Sequence, residues 1–329
     1  MKTRAEIKEQ ARTSFKRKYW PVVGIGLLGS VIVGAMGYIP VVGWLLTLLV
    51  GTIIIVGLNG FQLNVYRGNE LRVEYLFSGF NRYGRVLGGM LWMFLWIFLW
   101  MLIFIIPFIV IIVIMAVSAF MSVASVTANG ASLDFGMNNM MGQWGNSSPW
   151  GGMMPGWGNT DFWQGFANFS PWWLLLFLLL IPVIIKTYSY FCTPYILADS
   201  PKVPAIDALN LSKKIMNGYK GKLFVAQLSF IPWFLLQIGT FVCYVLFLIP
   251  ILWLNIDFNS GSNFIDRLPI QGYPLLVWPM FITVILGILS LLLWIFYVGP
   301  YYNATMAGFY QEIKEEAKRK GIEGTQALR

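Results

Sequence analysis

With 329 residues, 57% of them hydrophobic and 11% charged, and a mean hydropathy of +0.67, the chain lies outside the range of soluble domains, which carry about 25% charged residues. Its net charge of +9 fits the cytoplasmic excess of Lys and Arg in a membrane protein and needs no nucleic acid. With no histidine the usual zinc and iron sites are not expected, and Cys192 and Cys243, both in apolar runs, say nothing about disulfides.

Residues 1–19 read as a cytoplasmic amphipathic helix. Thr3 and Glu6 have capping-box spacing. Ile7, Ala11, Phe15 and Tyr19 then repeat every four residues among Lys and Arg. Such a helix is expected to lie in the headgroup layer, attracted to anionic lipid. No short apolar region with a small-residue cleavage site follows, so Trp20 onward reads as a retained span.

A membrane domain is expected over 20–310, with six spans at 20–39, 41–65, 86–126, 172–196, 223–254 and 275–303. Gly26, Ser30 and Gly34 place small residues on one ridge of the first span, where a helix of the same chain or of a second copy can approach closely. Gly84 and Gly88 repeat the spacing before the third span. Residues 86–126 would measure ~60 Å as one helix, about twice the bilayer core. One crossing is expected there, interrupted at Pro107. The remainder would project outward, tilt strongly or dip back without crossing.

Residues 128–170 read as an extracytoplasmic insertion rich in Gly, Met, Trp and Asn. Met137, Met140, Met141, Met153 and Met154 could offer soft thioethers to Cu(I). With no Cys or His beside them, a low-complexity loop is the simpler reading, and Trp144, Trp150, Trp157, Trp163, Trp172 and Trp173 suit the outer interface. Residues 311–329 read as a charged cytoplasmic tail on a solvated helix, with Glu315–Arg319 and Glu316–Lys320 as i,i+4 pairs.

Orientation follows from the basic residues. Seven Lys/Arg lie in 1–20, four in 66–85, five in 199–222 and five in 304–329. With both termini cytoplasmic, every cluster falls inside, and 127–171 and 255–274 fall outside. Basic, aromatic-ended stretches ("TSFKRKYW", "SGFNRYGR", "IMNGYKGK") precede spans that reach Ile39-Pro40, Ile106-Pro107 and Ile249-Pro250. The expected fold is therefore all-α: a polytopic helical membrane protein of six spans arranged as three helical hairpins.

Little in the chain suggests catalysis. All 14 acidic residues lie outside the span cores. Lys186 and Ser189, at i and i+3, could form a base–nucleophile pair, but Lys186 is placed to snorkel to the cytoplasmic interface. Asn59, Gln62, Asn64, Gln227 and Gln237 could line a solute path or bond helix to helix. No catalytic residue, metal site or cofactor is expected.

The stretch 181–236 carries Ile181, Pro182, Tyr188, Tyr190, Pro194, Tyr195, Ala198 and Asp199. These are followed by Ser212, Met216, Gly218, Lys220, Leu228, Ser229, Phe230 and Trp233. In this pattern the chain resembles the bacterial membrane family known as domain of unknown function 975. "MKTRAEIKEQAR", "GLNGFQLNVYRGNELRVEYLFSGFNRYGRVL" and "VGPYYNATMAGFYQEI" are similar to its opening, its loop after the second span and its last helix. The resemblance covers most of the chain except about 108–171. It implies a multi-pass protein of the bacterial cytoplasmic membrane with no agreed role. The expected function is non-enzymatic: a scaffold or accessory protein whose basic helices engage anionic headgroups, a protein partner or a second copy, without nucleic acid. The alternative is a transporter of a small solute or lipid through a cavity between the hairpins.

Overall fold

The computed structural model describes residues 2–128, 176–255 and 274–328. Among them every element is helical. The readings of 128–170 as an insertion, of its methionines and tryptophans, and of the loop 255–274 fall almost wholly outside the described residues. The chain divides into two compact units, Met1–Met93 with Tyr188–Arg329, and Phe94–Thr187.

In the first unit, α1 (Arg4–Arg17) begins at the expected capping box: Glu6 N donates to Thr3 Oγ1 at 3.3 Å, and Thr3 N to Glu6 Oε2 at 2.8 Å. Helix α2 (Tyr19–Gly37) ends three residues before Pro40, and the turn carries Val41 at φ 64°. Helix α3 (Gly43–Arg67) has a π-helical turn at Thr47–Gly51. It ends on Gly68 at φ 76°, where the Gly68 and Asn69 amides close back on the Val65 and Asn64 carbonyls. This is the left-handed termination that glycine permits. A short α4 (Glu74–Phe77) packs across α3.

Helix α5 (Tyr83–Ala128) begins in this unit. After Tyr188 the chain forms α7 (Thr193–Asp199), α8 (Ala205–Ile215) and α9 (Lys220–Leu228). Helix α10 (Ile231–Asn255) follows at a 52° bend. Pro232 accounts for that bend: it has no amide to give the Leu228 carbonyl, and its ring crowds that carbonyl. Helix α11 (Pro274–Leu293) runs through a π-helical turn, Trp294–Val298, into α12 (Gly299–Arg319).

Two layers of burial hold this unit together. Phe15, Val22, Val23, Ile25, Ile54, Phe61, Val65 and Leu76 form an apolar cluster. Helix α12 lies against α1 and α3 and buries Phe309, Tyr310 and Ile313. At Gly308 any side chain would strike the Tyr66 ring, so glycine is what lets α3 and α12 approach there.

The second unit contains the rest of α5 and α6 (176–187 within this unit). Pro107 does not interrupt α5, contrary to the expected break. A proline costs one backbone hydrogen bond in a helix, and Tyr83–Ala128 continues on both sides of it. Phe104 and Phe108 stack across the site with centroids 5.6 Å apart.

By length and composition five stretches could cross a membrane: Tyr19–Gly37, Gly43–Arg67, Glu74–Ile114, Leu176–Asp199 and Phe281–Arg319. The bent pair Lys220–Leu228 and Ile231–Leu246 makes six if it counts as one span. Their flanks are apolar and uncovered, with Phe98 55%, Phe241 67% and Ile285 56% exposed.

Two terminal readings change. The stripe Ile7, Ala11 and Phe15 is buried at 2% exposure or less, on a helix packed against α12 and α3. That face is covered by protein and is not free to enter a headgroup layer. The segment 311–319 continues α12 and buries Glu312, Ile313, Lys314 and Ala317, so it is not a solvated helix. Glu315 accepts from Gln311 Nε2 at 2.9 Å, while Arg319 and Lys320 both approach Glu316, at 3.9 and 4.0 Å.

Candidate functional site

Helix α3 ends by delivering Arg67 to a place where α7 ends and α12 passes. Arg67 Nη1 donates to Asp199 Oδ1 at 2.8 Å, and Lys314 Nζ to Asp199 Oδ2 at 2.9 Å. The Asp199 and Lys314 side chains are 2% and 3% exposed. Arg67 also holds Gln311 Oε1 through Nε and Nη2, at 3.1 and 2.7 Å. A buried carboxylate thus faces two cations, leaving the triad with one net positive charge. Charges this deep persist only when paired and hydrogen-bonded.

Arg85, in the first turn of α5, fastens the end of α7. It donates to the carbonyls of Leu197 at 2.6 Å, Ser200 at 3.1 Å and Val203 at 2.9 Å. These carbonyls lie at and just beyond a helix C-terminus, where a cation is favoured. Its buried Nε has no partner among the described residues. Arg67, Arg85 and Asp199 also line a cavity of about 330 Å³, with Arg82, Asn64, Asn69, Asn81, Ser78 and Tyr75 supplying further polar groups.

Beside the triad, Tyr195 stacks on Tyr310 with centroids 5.2 Å apart. Ser212 Oγ accepts from the Cys192 amide and donates to the Ser189 carbonyl, tying α8 to the turn before α7. Phe230 lies buried against Tyr301 and Tyr302, with Lys8 Nζ 4.3 Å from its ring centroid. Burial, with Arg4 nearby, lowers Lys8 below the ordinary lysine range.

The residues singled out from the sequence are not gathered into one site. Gln227 accepts from Tyr188 at 2.6 Å and donates to Tyr302 at 3.1 Å. Gln237 donates to the Ser290 carbonyl at 2.9 Å, which joins α10 to α11. Both are helix-to-helix bonds. Asn59 is half-buried on α3, and Gln62 is 4% exposed with no partner for its Oε1 among the described residues. Asn64 accepts from Asn69 Nδ2 at 3.0 Å. Lys186, in the second unit, lies over the Trp100 ring at 4.6 Å from its centroid. Ser189 is buried.

The ridge Gly26, Ser30 and Gly34 is not packed among the described residues: none of them lies within 4 Å of where a side chain would start at either glycine. It is Gly29 that faces Leu58 and Leu76. Among the described residues no three His, Cys, Asp or Glu side chains gather to hold a metal.

Sequence reasoning did not find Arg67, Arg85 or Lys314. Their partners lie far away along the chain, and the available signal was the Ala198-Asp199 pair within the family pattern.

A family described as protein of unknown function (DUF975) matches residues 1–142 and 169–317. The internal stretch without a counterpart is therefore shorter than 108–171 and lies at 143–168, and residues 318–329 also fall outside the match. No curated protein and no solved structure matches the chain.

Proposed function

The chain belongs to this family of unknown function, and on that premise we propose a non-enzymatic integral membrane protein that acts as a scaffold or accessory protein in the bacterial cytoplasmic membrane. It would cross six times as three hairpins, with both termini and all four basic clusters on the cytoplasmic side. The observation that supports this reading is the distribution of polarity. Long helices present uncovered apolar flanks, while charged side chains are paired where basic segments meet, as in Arg67–Asp199–Lys314. Polar residues within the helices join helix to helix, as Gln227 and Gln237 do. Such bonding favours a fixed bundle.

A second reading, transport of a small solute or lipid, is supported by the 330 Å³ polar cavity. Its lining comes from the end of α3, the connection to α5 and the end of α7. Chemical cross-linking in native membranes separates the two. A scaffold yields a discrete product with a second copy or a partner protein, resistant to alkaline extraction of the membrane. A chain recovered solely as an uncross-linked monomer contradicts the scaffold and favours transport.

A further inference from the structure

The cavity bordered by α3, α4, α5 and α7 has a charge pattern that the triad does not exhaust. Three arginines, Arg67, Arg82 and Arg85, line it against one carboxylate. Both oxygens of that carboxylate are already engaged, by Arg67 and by Lys314. Arg85 spends its hydrogen bonds on three neutral carbonyls, and among the described residues no carboxylate forms an ion pair with it. Arg82 is exposed at the rim, and Asn81 and Ser78 stand near it with neutral polar groups. The result is a recess that is positive overall, with amide and hydroxyl groups between its cations. Its 330 Å³ falls within the range of small-molecule sites. A guanidinium fork matches the oxygens of a phosphate better than it matches a monatomic anion.

We propose that this cavity binds a phosphate-bearing anion, with Arg82 as the direct guanidinium contact and Asn81 beside it. Arg67 and Arg85 hold the field positive from fixed positions. The phosphate could be the headgroup of an anionic phospholipid or a free phosphate. The lipid source rests on the membrane reading above, and the free-phosphate source does not.

The test uses the full chain in nonionic detergent. Native mass spectrometry measures retention of phosphatidylglycerol against phosphatidylcholine, and a thermal melt measures stabilisation by inorganic phosphate. Arg82→Gln and Asn81→Ala are compared with Arg72→Gln, a control at an exposed arginine paired with Glu70 and outside the lining. Losing one charge-assisted hydrogen bond should weaken binding about tenfold. Preferential retention of phosphatidylglycerol, weakened in Arg82→Gln but not in Arg72→Gln, identifies the lipid headgroup. Stabilisation by phosphate with the same dependence, and no lipid preference, identifies the free anion and stands even if the membrane role fails. Binding of neither anion, or equal loss in Arg82→Gln and Arg72→Gln, overturns the proposal. Asn81→Ala keeps the test open should Arg82→Gln not fold.

Discussion

Asp199 carries more of the structure than its single charge suggests. It joins residues 132 and 115 positions away in sequence, Arg67 and Lys314, through both carboxylate oxygens. Asp199→Asn would leave two cations facing a neutral amide. Breaking a buried pair from one side costs about 3–5 kcal/mol, so the variant should unfold at a clearly lower temperature in detergent than the parent. Glu70→Gln removes an exposed partner of Arg72 and should leave the melt unchanged, because solvent screens such a pair. Equal melts for Asp199→Asn and the parent would show that the triad is incidental. The Ala198-Asp199 pair marked one member of this triad, but its partners Arg67 and Lys314 lie on other helices, so no local spacing joined the three. By contrast, the Thr3–Glu6 capping box was legible, since both partners lie within one turn. The Glu315–Arg319 pairing was misread because Gln311, one turn earlier, reaches Glu315 first.

At the scale of elements, α1 shows how amphipathicity identifies a buried face without saying what buries it. The four-residue repeat of Ile7, Ala11 and Phe15 was plain in sequence. That the covering surface is α12 and α3 depends on residues far along the chain, at 299–319 and 43–67, with Lys2 held to Glu312 at 3.1 Å. Phe15→Ala should therefore destabilise the folded chain by about 3–5 kcal/mol, as for a large buried aromatic. It would be read as an earlier thermal melt. A helix that merely rests on lipid would lose membrane affinity and keep its melting temperature. The stretch 143–168, between the two parts that match the family, makes the opposite prediction. Long connections add little closure entropy, ~0.6 kcal/mol per doubling. Replacing 143–168 with a short Gly/Ser linker should leave the melt close to the parent, and a large loss of stability would mean that its aromatics and methionines pack on the helices.

For the whole molecule, the apolar runs were legible because their length and composition alone mark helices long and apolar enough to cross a membrane, and those helices carry many exposed Leu, Ile and Phe side chains. The number of crossings was less so. Pro232 bends one apolar run by 52°, whereas Pro107 leaves another unbroken, and a proline in sequence does not say which will happen. The basic clusters alone assign each end of the chain to a side of the membrane, so sidedness is the property to measure. Single cysteines at Ser147, Ser260, Ser78 and Asn210, in a chain with Cys192 and Cys243 replaced by alanine, can be probed on intact cells with an impermeant thiol reagent. Asn210 suits this purpose because it is exposed on α8. Six crossings with cytoplasmic termini predict labelling at positions 147 and 260 and none at 78 or 210 until the cells are opened. Labelling at 210 on intact cells would place the 199–222 lysines outside, make 86–126 cross twice, and contradict the three-hairpin arrangement.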